Sequence, residues 1–391
     1  MEIESVNTLI DSIKPFTKKD DSIKIGRRYV EFLGDGVTVN VNCLGQLLTF
    51  DHFELPFAKL DKLAAIAKSY MRFNQVGAGR YTMETYDHEA EINGTEVESV
   101  DYISMKDYHS IGRMDANLLQ TMIKKALPYA STDENRPAIN TIHYHSDGIN
   151  TAYIESTDGF HYLRQSIDPC DQRYLELHEA DFLMTAQHAK AFAKVLQTRG
   201  NQGVHMYMHK SAKKVLFEMF DDRLTYNFIF DLEQNTYPDT QFIMDSLTKP
   251  SKFTVFFAKR ALLETLKKIQ KIKSKDVEAI TFMYTASVGE SKIIYDSELD
   301  YSGDTYSFVA ESALVKGQHD SSDVVFGCGL SLLMHALDTY DAENIVITGV
   351  SHREPLRISC TMQKSSTPYP ITDTVVIMPN HTRRVDSYYG D

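Results

Sequence analysis

Chemistry requires reactive side chains at workable spacing, and this chain offers few. His205 and His209 are four residues apart, which on a helix would bring two imidazoles to one metal ion. Residues 204–210 instead alternate like a strand, where the two rings would stand about 13 Å apart on one face. His143 and His145, two apart, fall on another predicted strand. Surface or internally satisfied histidines are the expected reading of all four, and no metal site is expected. Asp221-Asp222 could bind a divalent ion, but it lies between two strand-like runs, where a hairpin turn accounts for it better. No phosphate-cradling G-x-x-x-x-G-K-[ST] loop occurs. Gly77-Ala-Gly79 lacks the third glycine of a dinucleotide loop and follows a helix instead of a strand. Gly329-Leu-Ser331-Leu-Leu333 lacks the second glycine of a nucleophile elbow. Cys43, Cys170, Cys328 and Cys360 form no C-x-x-C pair and read as reduced, structural thiols of a cytoplasmic protein. No catalytic centre emerges, so the chain is expected not to be an enzyme, and no cofactor is expected.

The elements that would carry any other function follow from the pattern. A chain of 391 residues holds two to four domains. Most of it reads as short strands, for example 29–32, 37–42, 141–144, 215–219, 226–230, 280–284 and 375–377. Gly34-Asp-Gly36 and Ser146-Asp-Gly148 punctuate them as turns. Six segments show apolar residues at three- and four-residue spacing: 5–14, 56–71, 115–127, 186–198, 258–272 and 329–340. They fall into three pairs, so the order helix, strands, helix, strands recurs three times. Asn7-Thr-Leu-Ile-Asp-Ser-Ile-Lys-Pro-Phe16 echoes Gln120-Thr-Met-Ile-Lys-Lys-Ala-Leu-Pro-Tyr129, each ending a helix on Pro and an aromatic ring. Three domains of related architecture are expected, each with two helices on a strand-rich scaffold.

Charge is distributed unevenly over these elements. The net charge of −13 excludes a protein that binds nucleic acid over its whole surface. No stretch of 18 apolar residues predicts a membrane span, and the acidic start Met1-Glu-Ile-Glu4 is unlike a secretion signal. Yet segments 56–72, 115–127, 186–199 and 258–273 together hold fifteen basic residues and three acidic ones. That is +12 within a chain of −13, which leaves −25 on the rest. One basic helix is usually a solvated face. Four of one sign in a chain of the other predict a segregated surface that attracts phosphates.

The middle of the chain resembles a known family. Asn135-Arg-Pro-Ala-Ile-Asn140, a strand, a turn at Asp147-Gly148, another strand and Thr157-Asp-Gly-Phe-His161 resemble the second domain of the bacterial DNA polymerase III beta subunit, the sliding clamp. Further matches follow in order: Tyr237-Pro-Asp239, Ala261-Leu-Leu-Glu-Thr-Leu266, Phe326-Gly-Cys-Gly-Leu330 with 333–337, and Val376-Ile-Met-Pro379. The resemblance covers about 113–380; over 1–112 it rests on the order of elements. The turn Thr157-Asp-Gly-Phe-His-Tyr162 departs from the family's T-D-G-H-R-L. About ten extra residues lie near 301–325, and the chain runs on past the family's usual end through Asn380–Asp391. These departures imply a divergent clamp, of bacterial or phage origin.

The resemblance implies an α+β fold of three clamp domains, 1–112, 113–249 and 250–391, each with two helices packed on antiparallel sheets, forming a crescent, with two chains closing head to tail into a ring around duplex DNA. Partners would be double-stranded DNA without sequence specificity, a DNA polymerase, a clamp loader and a second copy of the chain, in the cytoplasm and with no membrane. The expected DNA-lining residues are Lys59, Lys62, Lys68, Arg72, Lys124, Lys125, Lys190, Lys194, Arg199, Lys267, Lys268 and Lys271. Carried over by position, the family's peptide-binding groove would comprise Thr157, Gly159, Phe160, Tyr162, Pro238, Phe242, Ile243, Leu332, Val376, Met378 and Pro379. The alternatives are an interaction scaffold of clamp fold that does not encircle DNA and a nucleic-acid enzyme with a diffuse site.

Overall fold

The computed structural model describes residues 3–43, 48, 52–67, 70–97, 103–149, 151–167, 175–200, 202–275, 277–297, 303–310, 314–317, 323–360, 371–380 and 382–389. It is an α+β protein with eight α-helices among these residues. They are α1 (Ile3–Ile13), α2 (Phe57–Ile66), α3 (Ala116–Ala126), α4 (Ala186–Gln197), α5 (Gln241–Ser246), α6 (Lys259–Ile272), α7 (Leu330–Thr339) and α8 (Arg383–Tyr389). Six of them are the helices expected from apolar spacing; α5 and α8 were not expected.

The chain divides into two compact units. One comprises Met1–Leu127, Thr141–Ala152 and Asp168–Asn235; the other comprises Pro128–Asn140, Tyr153–Ile167 and Thr236–Asp391.

In the first unit a ten-stranded sheet forms the scaffold. It runs in the order Leu175–Leu177, Tyr108–Asp115, Gly203–His209, Lys214–Phe220, Leu224–Asp231, Val37–Cys43, Tyr29–Gly34, Ser22–Gly26, His52–Pro56, Thr95–Glu96. Its middle seam is antiparallel, from Leu224 opposite Cys43 to Phe230 opposite Val37. The alternation of these strands turns Phe228 and Phe230 inward, where they meet Phe16 and Phe192. Helices α3 and α4 pack on each other, each started by a side-chain cap. Asp115 accepts from the N–H groups of Asn117 (2.8 Å) and Leu118 (3.1 Å), and Thr185 from that of His188 (3.2 Å). Leu118, Leu119, Met122, Ile123 and Ala126 form the buried stripe of α3, leaving Lys124 outward.

The two echoing sequences fold alike. After α1, Pro15 sits in a single 3₁₀ turn, Lys14–Phe16; after α3, Pro128 sits in another, Leu127–Tyr129. Proline offers no N–H to the next helical turn, so the helix tightens and stops.

In the second unit one sheet carries Ala152–Thr157, His161–Ile167, Ile371–Ile377, Leu356–Cys360, Asn344–Gly349, Phe253–Ala258 and Leu314–Gly317 in that order. A second carries Thr305–Val309, Glu290–Asp296, Ala279–Thr285 and Val324–Gly329. Phe253 and Phe257 from the first sheet meet Phe326 and Phe282 from the second at ring separations of 5.4 Å. The core of this unit therefore lies between the sheets, and α6 packs beside α7.

Among the described residues no helix is long and apolar enough to cross a membrane.

Candidate functional site

In the second unit the sequence builds a patch around one strand pairing. Strand His161–Ile167 runs antiparallel to Ile371–Ile377, placing Tyr162 opposite Val376. Ile243, on α5, completes a buried cluster with these two, and Met244 and Leu247 pack against it. Helix α5 is short, and it starts where Asp239 accepts from the N–H of Gln241 at 2.9 Å. Three of the expected groove residues, Tyr162, Ile243 and Val376, are thus brought into one cluster. Met244 and Leu247 join the expected residues only in the structure, because a helix of six residues is too short to show an apolar period in the sequence.

The Thr157-Asp158-Gly159 turn stands beside this cluster. Thr157 Oγ1 donates to the carbonyl of His161 at 2.7 Å and accepts from Gly159 N–H at 3.0 Å. Asp158 Oδ1 accepts from the N–H groups of Phe160 and His161, both at 2.8 Å. Burial opposes the charge on Asp158, but the hydrogen bonds from His161 and the backbone hold its carboxyl below the usual range. Gly159 has φ +94°, and a Cβ there would lie 2.8 Å from Arg136 Nη2. Arg136 in turn donates to the Asp158 carbonyl at 2.9 Å. The Asn135-Arg-Pro stretch and the Thr-Asp-Gly turn, with Arg136 and Asp158 standing 22 residues apart in sequence, are therefore interlocked.

The turn leaves Phe160 60% exposed, and α5 leaves Phe242 58% exposed. Pro238 is exposed as well, while Met378 and Pro379 are half-buried just past the last strand. Leu332 is half-buried in the first turn of α7, packed close to Gly329.

Beneath the cluster lies a polar network. Glu155, 1% exposed, accepts from Tyr162 Oη and from Arg164 Nε at 2.9 Å. Thr240 Oγ1 lies 3.2 Å from the same carboxylate, and Arg164 also reaches Thr240 at 3.0 Å. Arg164 lies over the Tyr153 ring at 4.1 Å. Burial, and then the neighbouring Glu155 charge, push the Tyr162 phenol far above its ordinary value, so it stays a donor. The network fixes the ring of Tyr162, and through it the floor of the patch.

The expected lining lysines were placed by helical spacing, and most sit on helices as expected. Lys62 on α2, Lys124 on α3, Lys190 and Lys194 on α4, and Lys267, Lys268 and Lys271 on α6 are exposed; Lys125 is half-buried. Lys59 is half-buried and donates to the Asn93 carbonyl at 3.2 Å. Lys68 lies outside the described residues.

Two expectations need correction. Helix α2 ends at Ile66 instead of 71, because the chain turns extended at Ala67 and Phe73 is buried against Phe53. Arg72 therefore stands exposed on the strand Arg72–Gly77, not on a helix. Arg199 is not a surface residue at all. It is 6% exposed, its guanidinium 3.8 Å from the Tyr226 ring centre, donating to Ser12 Oγ and 3.7 Å from Asp221.

The remaining histidines and aspartates at spacings that could do chemistry are mostly in structural settings. His209, at the end of strand Gly203–His209, accepts from the N–H of Ala212 at 2.8 Å, and the His205 ring meets Phe220 edge-on. Asp221 closes a hairpin by accepting from Leu224 N–H at 2.7 Å. His143 and His145 differ from these: both reach Asp181, at 3.2 and 2.9 Å. The hydrogen bond from His143, joined by that from His145, outweighs partial burial and holds the Asp181 carboxyl down at about 2.

No family model and no curated protein matches this sequence. Solved structures do. The chain superposes on a putative DNA polymerase III beta subunit from Eubacterium rectale ATCC 33656 with a TM-score of 0.77 and 11% identity, over 97% of this chain and 98% of that one. The beta subunit of Streptococcus pyogenes DNA polymerase matches with a TM-score of 0.76 and 15% identity, over 97% and 98%. The DNA polymerase sliding clamp of Bacillus subtilis matches with 0.73 and 13%, over 96% and 98%. The fold is that of the sliding clamps, reached at low sequence identity.

Proposed function

We propose that this chain is a DNA sliding clamp, a non-catalytic processivity factor that closes with a second copy around duplex DNA. The observation that carries the reading is the set of exposed lysines on α2, α3, α4 and α6 of an acidic chain with the clamp fold. Such lysines contact phosphates without reading bases, so a ring they line can slide. The reading keeps three repeated domains, 1–112, 113–249 and 250–391. The helix pairs α1 with α2, α3 with α4, and α6 with α7 support it. A head-to-tail contact that closes gives the ring. The patch formed by Tyr162, Ile243, Val376, Phe160, Phe242, Met378 and Pro379 would take short apolar peptides from a polymerase and a clamp loader, since exposed aromatic rings around a buried floor suit such anchors. Its place of action would be the cytoplasm.

The test is retention on DNA. Loaded onto nicked circular duplex, the protein is expected to co-elute with the circle and to be lost when a restriction enzyme linearises it. Equal retention on linear and circular DNA would refute encirclement. Changing Lys190, Lys194, Lys267 and Lys268 together to Glu is expected to abolish processive synthesis while leaving the melting temperature in place.

A further inference from the structure

Strand Thr141–Asp147 lies antiparallel to Glu179–Thr185 in the first unit, with His145 directly opposite Asp181 and His143 opposite Leu183. Strand alternation puts His143, His145, Asp181 and Leu183 on one face. Asp181 thus stands straight across from one imidazole and diagonally from the other, within reach of both. Each of its oxygens takes one ring: Oδ1 lies 3.2 Å from His143 Nε2, and Oδ2 lies 2.9 Å from His145 Nδ1. All three side chains offer a ligand atom within 4.8 Å of the other two.

From this geometry we propose that His143, His145 and Asp181 form a binding site for a divalent transition-metal ion of the zinc type. Imidazole nitrogen and carboxylate oxygen bind such ions at about 2.0–2.2 Å, and the corners of a tetrahedron with arms of that length are about 3.4 Å apart. The two nitrogens lie 3.2 and 2.9 Å from separate Asp181 oxygens and the ligand atoms all fall within 4.8 Å of one another, so a rotation of the carboxylate that turns one oxygen toward both rings seats the ion. Two histidines and one carboxylate also match the usual donor set for zinc with one position left for water.

Exposure suits entry from solvent. His143 is 7% exposed and anchored by its strand, while the Asp181 side chain is 64% exposed and opens outward. The same face continues into Asp147 opposite Glu179, both exposed, so the ladder adds negative potential beside the site. Binding needs no net proton exchange from neutral rings. Each imidazole gives up the N–H that faces Asp181 by shifting to its other tautomer, and the freed lone pair takes the metal. The bound ion would tie the edge strand Glu179–Thr185 to its neighbour by a bond stronger than the two hydrogen bonds it replaces.

The test uses the full-length protein, stripped with chelator and titrated with Co²⁺ and then Zn²⁺. One equivalent of Co²⁺ is expected to give visible ligand-field absorption that Zn²⁺ bleaches, and Zn²⁺ is expected to raise the melting temperature. Asp181→Asn is expected to weaken Zn²⁺ binding at least tenfold, and His145→Gln to remove the Co²⁺ band. Both positions are at least partly exposed, so circular dichroism of the variants should match the parent. His209→Gln, at a histidine outside the cluster, should leave Co²⁺ and Zn²⁺ uptake unchanged. No uptake by the parent, or uptake undiminished in both site variants, would overturn the proposal.

Discussion

The backbone N–H of Met378 donates to the carbonyl of Phe160 at 2.7 Å. The segment that follows the last strand is thereby fastened to the turn that presents an exposed aromatic ring. The apolar patch is continuous across two stretches more than 200 residues apart in sequence only because this bond and the Tyr162–Val376 pairing hold them in register.

If the patch takes peptides, its exposed rings should matter for binding and not for folding. Phe160→Ala and Phe242→Ala remove rings that are 60% and 58% exposed. Their effect on stability is expected to stay within about 0.5 kcal/mol. Affinity for a labelled short peptide with apolar and aromatic anchors is expected to fall about tenfold or more, roughly 1.4 kcal/mol. Fluorescence anisotropy beside a urea melt separates the two effects. Unaltered anisotropy in both variants would move the docking surface elsewhere.

Gly159 and Arg136 should behave as a coupled pair. Gly159→Ala places a Cβ at φ +94° and 2.8 Å from Arg136 Nη2, a cost of about 1–3 kcal/mol. Arg136→Ala loses the bond to the Asp158 carbonyl but vacates the space. The double variant is expected to be more stable than the sum of the single losses by at least about 0.5 kcal/mol, measured by denaturant unfolding.

Glu155 should be among the least replaceable residues of the second unit. Its carboxylate is buried and is shared by Arg164, Tyr162 and Thr240. Glu155→Ala leaves the Arg164 guanidinium without its anion in a largely buried position, with an expected loss of about 3–5 kcal/mol. Tyr162→Phe, which removes one hydrogen bond and keeps the ring, should cost about 1 kcal/mol. The order of these two urea midpoints is the check.

The six long helices and the strand-rich background were legible because each repeats its apolar spacing over several turns or pleats. The helix-ending echo was legible too, and Pro15 and Pro128 do occupy equivalent 3₁₀ turns. Helices α5 and α8 were not, since six and seven residues are too few to show a period. Arg199 was misplaced for a different reason. A charged residue after a basic helix reads as solvated, and only the fold supplies the Tyr226 ring and Asp221 that let it be buried. His143 and His145 were visible as a pair, but Asp181 lies 36 residues beyond His145 and joins them only through strand register. The likeness to clamp structures at 11–15% identity has the same origin: packing and register persist where residue identity does not.

That burial separates two cations of α4 and its C-terminal flank that the sequence treats alike. Lys194 is exposed on α4, so Lys194→Glu should leave the melt within about 0.5 kcal/mol of the parent while weakening phosphate contact. Arg199→Glu puts a carboxylate beside Asp221 and against the Tyr226 ring, and should cost about 3 kcal/mol or more. Equal melting of the two variants would mean that Arg199 is solvated after all.

The C-terminal helix gives a pH-dependent prediction. Among the described residues, α8 docks on the four-stranded sheet: Val385 is buried, and the Tyr389 hydroxyl donates to the Val325 carbonyl at 3.2 Å. Arg384 grips Asp296 with two bonds, Nε to Oδ2 at 2.5 Å and Nη2 to Oδ1 at 2.6 Å. Burial raises the Asp296 carboxyl, but the bonds from Arg384 and Thr305 outweigh it, and the net shift is downward. A carboxyl lowered by folding stabilises the docked helix above the ordinary aspartate value, and the stabilisation fades as pH falls through the lower folded value. The protection factor of the helix amides, exchange corrected for its intrinsic pH dependence, is therefore expected to be constant at neutral and mildly acidic pH, then to fall in strong acid before the sheets melt. Arg384→Ala is expected to lower that protection at neutral pH by an amount corresponding to about 1 kcal/mol, and to weaken its acid dependence, the Thr305 bond remaining. Protection in the variant that tracks acid as steeply as in the parent would assign the linkage to another carboxyl.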